Sequence, residues 1–309
     1  MVSTVIKCVL ATALRFFPGI VAAVISALVL SGCGTVPAHS LPLARGPRDV
    51  MKEVMACNDK LVLISEREFQ RGQPVLILLH GATDDPSEML AIAQECMGTH
   101  NVYLYSYNFH HPIDRVAAGF VREMQVLRAA QPEVFTPRVP GRALTVVNYS
   151  YSAIVFRKAV LLAGDDGLFS GAAIVQMVPT AGGSFRARHM GNPVTATLVA
   201  LASKFSVAEN PYGGLAEKLW DGEGNRKFYD VIDARRMRTL LVEDDPHSLA
   251  NVADEEVRRR YRNGIGPNVV TIPKRSGVTH ENFPTHPVAL GYLRNILEQS
   301  ADNRAKAKE

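Results

Sequence analysis

The feature that most restricts this chain is a series of short apolar runs, each separated from the next by a segment of helical length. The run at 74–79, Pro-Val-Leu-Ile-Leu-Leu, has no polar position. A strand with one face in water would alternate, so this one is expected to be buried on both faces. Comparable runs occur at 60–66, 102–105, 143–147, 171–178, 238–242 and 268–272. Helical patterns lie between or beside them, at 49–57, 86–97, 113–130, 151–163, 255–261 and 287–298. In the second of these Pro86 suits a first turn, and Met89, Ile92, Ala93 and Cys96 share one face. Strands alternating with helices predict the α/β class, a mostly parallel sheet covered on both faces. The 309 residues, 47% hydrophobic and 21% charged, suffice for one large domain with insertions or two small ones.

The N-terminus carries Lys7 and Arg15, then an apolar stretch at 16–30 interrupted by Pro18, Gly19 and Ser26. That stretch is shorter than the roughly 20 residues a membrane-spanning helix needs, and it suits the h-region of a signal peptide. It closes on Leu30-Ser31-Gly32-Cys33, which resembles the lipobox of bacterial lipoproteins. The resemblance implies cleavage before Cys33 and lipidation of its thiol, tethering the protein to the cell envelope. Gly34 stands where an aspartate commonly retains lipoproteins in the inner membrane, so the outer membrane is expected, with the domain facing periplasm or surface. The division is then signal peptide 1–32, a Pro- and Gly-rich tether 33–49, the domain 50–300, and a charged tail 301–309.

Two units of the formal net charge of +4 belong to Lys7 and Arg15, leaving +2. That is too little to indicate nucleic acid as a partner. The basic blocks at 235–238 and 258–262 read as solvated faces, with an anionic membrane surface as the second reading. Cys8 leaves with the signal and Cys33 would carry lipid. Cys57 and Cys96 remain, either as a disulfide in an oxidising compartment or as two buried thiols. No grouping reads as a metal site.

Loops leaving the carboxyl edge of a parallel sheet are where sites form. The run at 74–79 delivers His80-Gly81-Ala82-Thr83-Asp84-Asp85, and the run at 238–242 delivers Glu243-Asp244-Asp245-Pro246-His247. The run at 268–272 leads within a few residues to His280. The run at 143–147 ends in Asn148-Tyr149-Ser150-Tyr151-Ser152, followed at once by a helical pattern. A serine at a sharp strand-to-helix turn reads as a nucleophile elbow, with Asn148 and Ser152 where glycines are usual. A hydroxyl, a carboxylate and an imidazole thus leave one edge in the order Ser, Asp, His.

With this order, residues 60–300 resemble an α/β-hydrolase of the esterase/lipase kind. The resemblance implies that Ser150 is the nucleophile, His280 its base and Asp245 the acid orienting the imidazole. The backbone N–H groups of Ala82 and Tyr151 would form the oxyanion hole, and His80 would brace the oxyanion loop. The insertion 179–237, with helical patterns at 194–205, 215–220 and 226–232 and the only tryptophan, Trp220, resembles the family's cap. A plain second-layer extension is the other reading. The implied activity is ester hydrolysis through an acyl-enzyme, on a small-molecule or lipid ester, without metal or organic cofactor. A decayed hydrolase serving as an envelope binding or scaffolding module, and the same triad used on thioester, amide or acyl-transfer substrates, are the alternatives.

Each position has competitors. Ser152 rivals Ser150, but its own second neighbour would be bulky Ile154, and asparagine at 148 tolerates unusual backbone angles. Glu243 and Asp244 rival Asp245, and the Asp245-Pro246 pair favours the latter. His286 reads as the start of the last helix. His110 and His111 read as surface or pocket-lining residues, and Asp84-Asp85 as a turn. Tyr149 and Tyr151 are either elbow packing or substrate contacts.

Overall fold

The computed structural model describes residues 47–56, 58–65, 69–81, 86–108, 111–136, 143–180, 222–245 and 255–305. In β2 (Val75–Leu79) every residue is buried, and successive side chains enter different cores. Val75, Ile77 and Leu79 face one core, while Leu76 and Leu78 face the other. This is the period-two alternation of a strand with both faces covered.

Seven strands form one sheet: β1 (Lys60–Leu63), β2, β3 (Asn101–Ser106), β4 (Leu144–Tyr149), β5 (Ala173–Met177), β6 (Met237–Val242) and β7 (Val269–Ile272), in the spatial order β1-β3-β2-β4-β5-β6-β7. β1 runs antiparallel to β3 and all other neighbours are parallel. The helices are α1 (Pro47–Met55), α2 (Met89–Cys96), α3 (Ile113–Ala130), the single turn α4 (Pro132–Phe135), α5 (Ser152–Ala163), α6 (Gly222–Val231), α7 (Glu255–Ile265) and α8 (Pro287–Ala305). Side chains of α3, α5, α6 and α7 fill one core, and those of α1, α2 and α8 the other. The α/β class and the two-sided cover expected from the sequence are what the chain adopts.

Three differences from the sequence expectation matter. β4 continues through Asn148 and Tyr149, because ladder pairing with Leu79, Gln176 and Met177 outweighs the polar character of these residues. α8 runs to Ala305, past 298 and into the stretch read as a tail. Within the insertion read at 179–237, α6 packs into the body of the domain. Phe228 meets Phe156 edge-on at 6.4 Å between centroids, and the buried Arg157 guanidinium lies 4.3 Å from the Phe228 centroid. Arg157 also donates to the Asn225 side chain. Residues 181–221, with Trp220, lie outside the described residues, as do residues 1–46, which hold the signal, Cys33 and the tether up to the start of α1; α1 takes up 47–49, the end of the stretch read as tether.

Cys96 is a buried free thiol. Its surroundings are apolar, with Glu95 adjacent, and burial followed by the Glu95 charge pushes its pKa up to about 12. Cys57, its partner in the disulfide reading, lies outside the described residues. The basic blocks are drawn to neighbouring carboxylates: Arg235 and Arg236 to Asp233, and Arg258 and Arg262 to Glu255. Among the described residues no helix is long and apolar enough to cross a membrane.

Candidate active site

The parallel register brings the ends of β2, β4, β5 and β6 to one edge, with Leu79 beside Asn148, Tyr149 beside Met177, and Met177 beside Leu240. At that edge β4 stops and the chain reverses into α5 through Ser150, whose φ is +52°. A left-handed angle at a non-glycine residue is uncommon and concentrates at functional turns. Backbone contacts with the β5 strand and the chain leaving it hold it. The Ser150 N–H donates to Met177 O at 2.9 Å, and Ser150 O accepts the Thr180 N–H at 3.3 Å. Just before Thr180, Val178 takes φ +40°, an angle a β-branched residue avoids. The chain bends there as it leaves β5.

This arrangement corrects the sequence reading of the elbow's backbone. The unusual angle falls on Ser150, and Asn148 is an ordinary strand residue at the core-facing end of β4. Its amide is fully buried, and among the described residues neither Oδ1 nor Nδ2 has a hydrogen-bond partner. At the other departure from the usual pattern, the Ser152 Oγ is buried. It lies 2.9 Å from Leu79 O and 2.8 Å from Tyr149 O, and accepts the Tyr149 N–H at 2.7 Å. Ser152 is bonded into the end of the sheet, whereas the Ser150 hydroxyl meets His280.

Ser150 Oγ lies 2.7 Å from His280 Nε2, and His280 Nδ1 lies 2.9 Å from Asp245 Oδ2. All three residues are buried. An ionised carboxylate only accepts hydrogen bonds. Opposite Asp245, His280 must therefore carry its proton on Nδ1, which leaves Nε2 as the acceptor facing the Ser150 hydroxyl. That is the arrangement in which an imidazole can draw a proton from a serine. Asp244 turns away with φ +59°, and its carboxylate meets Lys274 Nζ at 3.2 Å on the exposed side. Glu243 accepts the Lys274 backbone N–H at 2.9 Å. Asp245 alone of these three faces the imidazole.

The loop bearing His280 is shaped by its own polar groups. Gly277 adopts φ +76° after a short 3-10 turn, the Asn282 amide donates to Gly277 O, and Asn282 Oδ1 accepts the Thr279 N–H. The Tyr149 hydroxyl donates to His280 O at 2.6 Å, and the two rings lie 5.8 Å apart. His286 accepts the Val288 N–H at the start of α8, as its place in the sequence suggested.

On the other side of Ser150, the His80 ring stacks on Tyr107 at 4.0 Å between centroids, and the Tyr107 hydroxyl donates to His80 O. His80 Nε2 and Nδ1 lie within bonding distance of Tyr107 O and Gly81 O. His80 thus fastens the chain leaving β2 to the end of β3. Tyr151 occupies the N-terminal cap position of α5, where backbone N–H groups have no acceptor within the helix. Ala82, Asp84, Asp85 and His110 lie outside the described residues. His111 lies 3.5 Å from Asp59, a carboxylate it shares with Arg115. Thr180 escaped the sequence reading, since its contact with Ser150 is made only by the bend at Val178.

No protein-family model and no curated protein sequence matches this chain. Solved structures do. Esterase B from Lactobacillus Rhamnosis superposes with a TM-score of 0.51 at 13% identity, over 98% of this chain and 99% of that one. A Pyrobaculum calidifontis esterase superposes with 0.50 at 12% identity, over 80% of each chain. Lipase BlEst2 from Bacillus licheniformis gives 0.41 at 11% identity, over 56% of this chain and 66% of its own length. At these identities the likeness is one of fold. The two superpositions at 0.50 and 0.51, with the seven-stranded, mostly parallel sheet covered by helices on both faces, show that the chain has the α/β-hydrolase fold.

Proposed function

We propose that this protein is a serine hydrolase that cleaves carboxylic esters through an acyl-enzyme. The observation that supports it most is the continuous chain from Ser150 Oγ through His280 to Asp245, at 2.7 and 2.9 Å. In this reading His280 accepts the Ser150 proton as Oγ attacks the ester carbonyl, and returns it to the departing alcohol. A water then attacks the acyl-enzyme by the same route, and Asp245 stabilises the imidazolium formed at each stage. The backbone N–H groups of Tyr151 and Ala82 would receive the oxyanion.

The same reading places the protein on the envelope through a lipidated Cys33, outer membrane rather than inner. Several acyl chains would hold it stably where one would not. Its substrates would then be small-molecule or lipid esters, under a cap drawn from the insertion 179–237. Thioester, amide or acyl-transfer chemistry uses the same groups and would differ in the acceptor that reaches the acyl-enzyme. The competing reading of a decayed site used only for binding draws on Asn148 and Ser152. Ser152 supports it little, since its hydroxyl bonds into the end of the sheet.

A fluorophosphonate probe tests the proposal. Labelling of the folded protein that disappears in Ser150→Ala is the expected result; a well-folded wild type that takes no label overturns it.

A further inference from the structure

We propose that Tyr149, which precedes the nucleophile, is a positioning residue that sets His280 against Ser150. This rests on the hydrolase reading above and adds a residue to it. Tyr149 ends β4, with its backbone paired to Met177 of β5 and its side chain directed into the core shared by Ile272, Val278 and Phe283. From there its hydroxyl crosses to the loop after β7 and donates to the carbonyl of His280, 131 residues away, at 2.6 Å. The residue is 1% exposed.

Consecutive residues of one strand end thus carry both halves of the proton transfer. Ser150 bears the hydroxyl, and Tyr149 anchors the backbone of the residue that bears the imidazole. The bonds between Asn282 and Gly277 and between Asn282 and Thr279 are internal to the loop. They shape it without fixing its distance from β4. Asp245 holds the imidazole from Nδ1, but an imidazole anchored at that atom alone can still swing Nε2 relative to Oγ. The bond at the His280 carbonyl opposes that swing. A shift of about 1 Å in a reacting group can cost on the order of 100-fold in rate, so the hydroxyl belongs to the geometry of transfer and not only to core packing.

Tyr149→Phe keeps the ring and removes the bond. The expected result is a fall in kcat of about 10- to 100-fold with KM little changed, and an equal fall in the rate of fluorophosphonate labelling. The proton on His280 Nδ1, observed by NMR, should shift and exchange faster with solvent. Tyr229→Phe, which removes a part-buried hydroxyl bonded to Asn263 O at the core on the other face of the sheet from Tyr149, should leave all three readouts unchanged and controls for loss of a tyrosine hydroxyl as such. Wild-type kcat, labelling rate and Nδ1 proton signal in folded Tyr149→Phe would overturn the proposal. If the wild type proves inert to ester and probe, the hydrolase reading fails, while the NMR comparison still decides whether Tyr149 holds His280.

Discussion

The Ser152 hydroxyl lies 2.9 Å from the carbonyl oxygen of Leu79 and accepts the backbone N–H of Tyr149. A serine at this position thereby joins β2, β4 and the first turn of α5, where a glycine would leave buried backbone groups without that partner. Leaving a buried donor unsatisfied costs about 1–3 kcal/mol. Ser152→Ala should therefore lower the stability measured by urea unfolding by about that amount, while Ser150 still takes a fluorophosphonate. Loss of labelling in a Ser152→Ala protein that remains folded would contradict this division of labour.

Asp244 and Asp245 are adjacent in sequence and opposite in environment. Asp245→Asn should preserve the fold and reduce kcat by about 10⁴-fold, since an amide favours the wrong imidazole tautomer. Asp244→Asn removes an exposed pair with Lys274, which contributes about 0–1 kcal/mol, and should leave turnover unchanged. Steady-state kinetics on the two variants separates them, and equal losses would reject the assignment of the acid.

Asn148 presents a buried amide with no partner among the described residues, a state that costs about 1–3 kcal/mol. Asn148→Val, similar in size and suited to a central strand, is expected to raise the urea midpoint. A clear drop in stability with no change in the elbow would show that the amide is satisfied in solution.

Cys96 should resist alkylation in the folded protein at neutral pH, because its thiolate is disfavoured by burial. The same shift makes folding sensitive to alkali. An unfolded thiol releases its proton near 9.0 and the folded one only near 12, so stability present below 9.0 is lost as pH rises across that window. Mass mapping of alkylated peptides before and after urea checks the first point. Rapid modification of Cys96 in the native state would refute it.

Lipidation of Cys33 predicts that Cys33→Ala either accumulates as an uncleaved precursor or appears as soluble protein. Cell fractionation and intact mass distinguish these outcomes from the alternative. Unchanged processing and membrane attachment in the variant would exclude the anchor.

Much of the fold was legible because it rests on local patterns. The run at 74–79 announced a strand buried on both faces, and β2 is one. The helical patterns at 113–130 and 151–163 recur as α3 and α5 with boundaries within a residue. The sequence also brought Ser150, Asp245 and His280 to one sheet edge, since parallel strands deliver their loops to the same side. It could not tell that β4 extends through Asn148 and Tyr149, because those residues are polar and their strand pairing is made with chain segments far away.

What the sequence by itself determined is the α/β architecture, the elbow serine and the order of the three groups along the chain. Only the tertiary structure decided that Ser150 carries the left-handed angle, that Asp245 and not Asp244 meets His280, and that Ser152 and Tyr149 tie the elbow to Leu79 and to His280. The reason is physical. Hydrophobic periodicity is written in neighbouring residues, whereas hydrogen bonds such as those of Tyr149 with His280 depend on distances between side chains that meet only once the sheet has closed.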